Sequence, residues 1–143
     1  MGQYFETYRA TVKPEQCDHL GHMNVQYYIA ALNDGTIELV RRLGLPLAEI
    51  ARRRIALAVV RMETDFLREL KEGDEILVES AVEQVGNKSL TLLHRIRHAA
   101  SGSDAMRSVC RSAMMDLTSR KSTVLPEDVR AAALALANDD GGR

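Results

Sequence analysis

The longest periodic pattern in the chain lies between Asn24 and Leu43. There the larger apolar residues recur at steps of three and four, the spacing that places side chains on one face of a helix. Asn24 is a favourable N-cap, and Gly44 followed by Pro46 is a typical stop signal. The pattern therefore predicts a helix of about five turns over residues 24–43, with these apolar residues: Val25, Tyr28, Ile29, Leu32, Leu39, Val40 and Leu43.

One local signal competes with this prediction. The tripeptide Asn33-Asp34-Gly35 favours a turn, and a glycine inside a helix costs about 1 kcal/mol relative to alanine. The alternative is two shorter helices that break at Gly35. We favour the longer pattern, because glycine is useful where another backbone packs closely against a helix, as on the concave side of a curved sheet.

Shorter patterns predict β-strands on both sides of this helix. Residues 4–13 (YFETYRATVK) alternate loosely and end at Pro14, which predicts a first strand that suits a sheet edge. Four more strand-like segments follow from Ile55: IALAVVRMETDFL, EILVESAVEQV, SLTLLHRIRHA and MRSVCRSAMMDLT. Their connectors KEGD, GNK and SGSDA are short, so consecutive strands are expected to pair as antiparallel hairpins. Residues 55–118 are thus predicted to form a meander.

These elements predict an α+β protein with one core. Alternate residues from Leu90 to His98 place an apolar face on one side of the sheet, and the long helix is the element available to cover it. Pro126 and the two acids after it predict a second helix that runs to about Ala137, before the polar tail NDDGGR. Because domains usually contain about 100 to 150 residues, we predict a single domain over 1–143.

Composition and charge exclude several classes of protein. The chain has 19 basic and 20 acidic residues, a net charge of −1, so there is no electrostatic basis for binding nucleic acid. No segment has the pattern of a signal peptide or the roughly 20 apolar residues of a membrane span, so no membrane partner is predicted. Cys17 and Cys110 fit two reduced thiols, which favours a cytoplasmic protein. No cofactor is predicted.

The unusual residues cluster in the segment CDHLGHMN, residues 17–24, between the first strand and the long helix. The N–H groups of a helix's first turn are unpaired and partly positive, so they can hold a developing oxyanion. We expect those donors among residues 23–25, with Asp18 close to the same carbon. A carboxylate and an oxyanion site would then come from one loop.

The motif D-x-x-G-H-x-N, the aromatic pair after it and the order of elements resemble the 4-hydroxybenzoyl-CoA thioesterase-like branch of the hot-dog superfamily. The matching residues are Asp18, Gly21, His22, Asn24, Tyr27 and Tyr28, and the element order agrees over about residues 5–125. The resemblance implies a hot-dog fold, in which a curved antiparallel sheet of about five strands wraps around one long helix. It also implies a homodimer or homotetramer with sheets joined edge to edge and active sites at the subunit interface.

The resemblance further implies hydrolysis of an acyl-CoA substrate, with Asp18 as the catalytic aspartate. Asp18 would act as nucleophile or general base, and it must be ionised near neutral pH. A thiol with a pKa near 8.5 leaves readily, so little general-acid help is needed. The chain departs from many relatives at Gln16, where they carry a second acid. We predict five substrate-binding residues: His19, His22, Asn24, Val25 and Tyr28.

Each of these residues also has a purely structural explanation. Asp18 and Asn24 suit a turn and an N-cap, His22 suits a loop-orienting hydrogen bond, and Tyr28 suits the core. Asp18 with His19 and His22 is a weak pattern for a metal site, and no metal is predicted. Four other carboxylates are reserve candidates, although surface ion pairs are their more common role: Asp34, Glu38, Glu63 and Asp65.

Two other functions stay open from the sequence. A non-catalytic acyl-CoA or acyl-carrier binding protein would keep the pocket and show no turnover. A hot-dog dehydratase would need a histidine and an acid acting together on a 3-hydroxyacyl group, and the motif argues against it.

Overall fold

Five long strands and one short strand form a single antiparallel sheet in residues 2–138, the part of the chain that this computed structural model describes. The strands are β1 (Phe5–Thr11), β2 (Ile55–Phe66), β3 (Glu75–Val85), β4 (Ser89–His98), β5 (Asp104–Asp116) and β6 (Lys121–Ser122). The helices are α1 (Val25–Arg42), α2 (Leu47–Arg53) and α3 (Glu127–Ala137), with a short 3₁₀ turn at Pro14–Gln16. No helix in residues 2–138 combines the length and apolar character needed to cross a membrane.

Helix α1 confirms the predicted long helix and its cap. The side chain of Asn24 accepts a hydrogen bond from the Gln26 N–H at 3.0 Å, and the helix continues through Gly35. The alternative of two helices broken at Gly35 is wrong. A Cβ at this position would lie 2.7 Å from both Thr7 Oγ1 and Val78 Cγ1, so glycine allows α1 to lie close against β1 and β3. The close neighbours are side chains of the sheet, not its backbone.

The strand order in the sheet is β1-β3-β4-β5-β2, with β6 beside β5. The predicted hairpins β3–β4 and β4–β5 are confirmed, and β1 lies at an edge. The meander predicted for residues 55–118 is wrong in its first strand, because β2 pairs with β5 and forms the other edge.

The connection from β2 to β3 explains this difference. It is residues 67–74, longer than the predicted turn KEGD, because Leu67 to Leu70 belong to the connector and not to a strand. The Leu67 N–H donates to the Ala105 carbonyl at 2.8 Å, Leu70 is fully buried, and the Gly73 N–H donates to the Val12 carbonyl at 2.9 Å. The segment that connects β2 to β3, called the crossover segment below, therefore passes beside the start of β5 and crosses the end of the sheet to the end of β1.

Helix α1 covers only part of the concave face of the sheet. It packs on β1, β3 and β4, while the face formed by β5 and β2 extends beyond it. The pairing register places Val59, Met62 and Phe66 of β2 on the same face as buried residues of β5. These three side chains are 48%, 37% and 45% exposed, so β2 presents apolar surface at the edge of the sheet.

The C-terminal helix is confirmed as α3, which packs against β3 and ends at Ala137. Its buried residues join those of α1, β3 and β4 in one apolar cluster. Apart from Asn138, the predicted polar tail lies outside the described residues. Helix α2 was not predicted, because a helix of seven residues is too short for the apolar period to show.

A chain of polar side chains crosses the core beneath α1. Thr7 Oγ1 lies 2.8 Å from Ser80 Oγ, which lies 2.7 Å from His94 Nδ1, and His94 Nε2 lies 3.3 Å from Thr36 Oγ1. The Thr36 hydroxyl donates to the Leu32 carbonyl at 3.0 Å, so His94 Nε2–H donates to Thr36. Burial lowers the pKa of His94 to about 4, and the ring is neutral at pH 7.

Candidate active site

The loop before α1 is closed by its own backbone. Cys17 and Met23 form an isolated antiparallel bridge, and the Asp18 N–H donates to the His22 carbonyl at 3.1 Å. The Gly21 N–H donates back to the Asp18 carbonyl at 3.0 Å, and Gly21 has φ of 83°, a conformation that favours glycine. The motif glycine therefore permits the tight turn that places Asp18 beside α1.

Both carboxylate oxygens of Asp18 accept hydrogen bonds. Oδ2 accepts from Asn24 Nδ2 at 2.7 Å, and Oδ1 accepts from the Leu20 N–H at 2.9 Å. The bond from Asn24 is the largest cause that lowers the pKa of Asp18, followed by the bond from Leu20. Asp18 is therefore a carboxylate at neutral pH, as a nucleophile or base must be.

Asn24 makes four hydrogen bonds with its neighbours. Its backbone N–H donates to the Gln16 carbonyl at 2.9 Å, and its carbonyl accepts from the Tyr27 N–H at 3.0 Å. Its side-chain oxygen caps α1 and its side-chain nitrogen donates to Asp18. The N-cap prediction is confirmed, while substrate contact by Asn24 stays a prediction.

One backbone donor is available at the start of α1. The Met23 N–H donates to the Leu70 carbonyl at 2.6 Å, and the Asn24 N–H is taken by Gln16. Within residues 2–138, the N–H of Val25 has no acceptor. Of the expected donors in residues 23–25, Val25 is thus the one free to hold an oxyanion.

A cavity of about 230 Å³ adjoins this donor. Tyr28 is 3% exposed and forms part of both the core and the cavity wall. Its ring meets that of Phe66 edge to face at 5.3 Å, and its hydroxyl donates to the Arg68 carbonyl at 2.8 Å. Asp18 is not part of this wall and lies partly exposed on the neighbouring loop. The cavity is lined by His22, Met23, Val25, Tyr28, Phe66, Leu67, Arg68 and Glu69.

The two motif histidines have different surroundings. His22 lines the cavity, its Nδ1 donates to the Met23 carbonyl at 3.2 Å, and its Nε2 lies 3.9 Å from Glu69 Oε1. His19 is exposed, and no hydrogen bond joins its side chain to another described residue. In residues 2–138 no three of the His, Cys, Asp and Glu side chains are grouped as metal ligands.

The residue that departs from the family pattern supports the loop. Gln16 Oε1 accepts from the Lys13 N–H at 2.9 Å, and its carbonyl accepts from Asn24.

Two of the reserve carboxylates are in the ion pairs expected of surface acids. Glu38 pairs with Arg41 and Arg42, which lowers its pKa to about 2, and Glu63 pairs with Arg61.

Sequence reasoning missed the contribution of the crossover segment to the cavity. Leu67, Arg68 and Glu69 form one wall, beside Phe66 at the end of β2. Their sequence carries no motif, and the hairpin expected after β2 would have placed them elsewhere. The break in alternation after Phe66 was the available signal.

Comparisons with known proteins identify the family. A model described as the thioesterase-like superfamily matches residues 12–133, which contain the whole loop, α1 and the crossover segment. The chain belongs to this thioesterase-like superfamily. The predicted family resemblance is thereby confirmed.

Individual relatives of this thioesterase-like chain agree with that assignment. Betainyl-CoA thioesterase from Pseudomonas aeruginosa is 28% identical over 102 residues, which cover 71% of this chain and 64% of that protein. The chain thus matches less than two thirds of that relative's length.

Solved structures confirm the hot-dog fold. A hypothetical protein from Staphylococcus aureus in complex with CoA has a TM-score of 0.89 at 23% identity, covering 97% of this chain and 87% of that one. A 1,4-dihydroxy-2-naphthoyl-CoA thioesterase from Synechocystis has a TM-score of 0.80 at 21% identity, covering 94% and 98%.

Proposed function

We propose that this protein hydrolyses an acyl-CoA thioester to a free acid and CoA. The observation that carries the proposal is that the carboxylate of Asp18 and the free N–H of Val25 both adjoin Asn24. Asn24 links the two, because its side chain bonds Asp18 and its backbone precedes Val25. A carboxylate can act as nucleophile or general base in thioester hydrolysis, and an oxyanion donor stabilises the developing charge on the carbonyl oxygen.

In the proposed reaction the thioester carbonyl oxygen accepts a hydrogen bond from Val25. Asp18 then either attacks the carbonyl carbon, giving a mixed anhydride that water hydrolyses, or removes a proton from the attacking water. In both routes the carbon–sulfur bond breaks and CoA leaves as a thiolate, which takes a proton from solvent. The low pKa of a thiol makes a protein general acid unnecessary.

We assign the cavity beside Val25 to the acyl group. Its volume of about 230 Å³ suits a small or medium acyl chain, since it lies below the roughly 300 to 1,000 Å³ of pockets for drug-sized ligands. A cationic acyl group, as the name of the betainyl-CoA relative implies for that protein, would meet the rings of Tyr28 and Phe66 and the carboxylate of Glu69. His22 would contact the same group, and His19 lies on the exposed side of the loop.

We also propose a homodimer, or a homotetramer built from it. The outer edge of β2 is 12 residues long, and edge strands with exposed apolar side chains are templates for pairing. A partner copy at this edge would cover Val59 and Met62 and bring its own residues towards Phe66 in the cavity wall. The free thiols of Cys17 and Cys110 suit the cytoplasm.

The direct test is release of free thiol from a panel of CoA esters with short, aromatic, long and betainyl acyl groups. We expect turnover of at least one small or medium ester and its loss, by about 10³-fold or more, in Asp18→Asn. Glu15→Gln is the matched control, because Glu15 is an exposed carboxylate three residues away with no catalytic assignment.

Two outcomes would contradict the proposal. Near-native turnover in Asp18→Asn would move catalysis to another carboxylate. Tight binding of CoA esters with no turnover of any of them would favour the non-catalytic binding protein.

A further inference from the structure

Asn24 caps α1 through its side-chain oxygen and donates to Asp18 through its side-chain nitrogen. We propose that Asn24 is a positioning residue, whose Nδ2–H holds the Asp18 carboxylate at a fixed place relative to the Val25 N–H. This inference rests on the proposed function, because it concerns the same carboxylate and the same oxyanion donor.

The orientation of the Asn24 amide is determined by the helix. Its oxygen accepts from the Gln26 N–H at 3.0 Å, so its nitrogen must face Asp18 Oδ2, 2.7 Å away. A flipped amide would direct an NH₂ group at the Gln26 N–H and an oxygen at a carboxylate, and both contacts would be repulsive. The cap therefore selects the amide orientation that presents a donor to Asp18.

The backbone of Asn24 is fixed as firmly as its side chain. Its N–H and carbonyl bond Gln16 and Tyr27, so the residue is held by the preceding turn and by α1 at once. The Asp18 carboxylate is held by hydrogen bonds at both oxygens, from the Leu20 N–H at Oδ1 and from Asn24 at Oδ2. If the Asn24 donor is lost, only the bond from the Leu20 N–H to Oδ1 remains, and the carboxylate can rotate away from the thioester carbon.

The same bond favours the ionised form of Asp18. A donor that faces a carboxylate stabilises the ionised form, and Asn24 is the largest cause of the lowered pKa of Asp18. A residue that only capped the helix would leave this pKa unchanged.

Three variants separate positioning from capping. Serine and aspartate are as good N-caps as asparagine, so Asn24→Ser and Asn24→Asp keep the cap and lose the Nδ2–H. Asn24→Asp also places a like charge beside Asp18. Asn24→Ala loses both functions. The test compares three measurements across these variants: the thermal midpoint, kcat and KM as a function of pH, and the titration of the Asp18 carboxyl by NMR.

We expect Asn24→Ser to keep a thermal midpoint close to the native one, and Asn24→Asp to have a lower midpoint because of the new like charge. In both variants kcat should fall about 10- to 100-fold, since small misplacements of reacting groups have effects of this size. The pKa of Asp18 should rise in Asn24→Ser and further in Asn24→Asp, and the acid limb of the kcat profile should move with it. The NMR titration needs no turnover, so it tests the bond even if Asp18→Asn shows that another residue is catalytic.

The inference would be overturned by cap-retaining variants with native kcat, a native acid limb and an unchanged Asp18 titration. If Asp18→Asn were inactive in the same experiments, the proposed function would stand while the positioning role failed.

Discussion

The free N–H of Val25 can be removed without removing the helix. Proline is favoured at the first position of a helix, where its missing N–H has no intrahelical partner, and Val25 is that position in α1. The substitution Val25→Pro therefore deletes the proposed oxyanion donor, which no ordinary side-chain change does.

The residue before a proline must be extended, and Asn24 already is. Its φ and ψ are −70° and 147°, within the region that a following proline requires. The cap bond to Gln26 and the bond to Asp18 involve the Asn24 side chain and not the Val25 nitrogen. We expect Val25→Pro to fold with a thermal midpoint close to that of the native protein.

The expected effect on turnover follows from the number of donors. Among residues 2–138 the Val25 N–H is the one free donor in the segment 23–27, because the other four are bonded to Leu70, Gln16 and Asn24. Loss of a single oxyanion donor costs about 10² to 10³ in kcat, or about 2.7 to 4 kcal/mol. The assay is thiol release under saturating CoA ester, with circular dichroism to confirm the fold.

Val25→Ala is the matched control, because it shortens the same half-exposed side chain and keeps the N–H. It should keep kcat within a few-fold of native. A folded Val25→Pro with native kcat would refute the assignment of Val25 as oxyanion donor.

Two more predictions concern pH and assembly. The pKa of His94 is about 4 in the fold against an ordinary 6.5, so the unfolded state binds the extra proton between these pH values. From pH 4 to 6.5 this difference should raise the free energy of unfolding by about 3 kcal/mol. Urea titrations measure that free energy, and the prediction would be contradicted if its dependence on pH were the same in His94→Gln as in the native protein. Sedimentation at micromolar concentration should give at least twice the 15.9 kDa of one chain, and a stable monomer would exclude the proposed interface.

Local signals predicted α1, α3 and the five long strands, but not the short helix α2. The cap of α1 depends on Asn24 and the residues just after it, and the apolar period of α1 overrode the turn signal at Gly35. The hairpins β3–β4 and β4–β5 follow from short connectors. Such features depend on neighbours in sequence, so a single chain reveals them.

The position of β2 and the details of the site depend on distant residues. The Met23 N–H is occupied by a carbonyl 47 residues later, and this contact leaves Val25 as the free donor. The motif indicated Asp18 and the start of α1. It carried no information about the crossover segment that forms the cavity wall, because that segment's path is set by packing across the end of the sheet.

The strand order also sets the sequence of events during synthesis. Both edge strands precede their partners in the chain, since β1 pairs with β3 and β2 pairs with β5. A chain that emerges from its N-terminus therefore exposes the apolar residues of β2 until Asp104–Asp116 has been made. A product truncated before residue 104 would carry β2 with both edges unpaired, and such a strand is a template for aggregation. In the full chain, one edge of β2 is paired with β5.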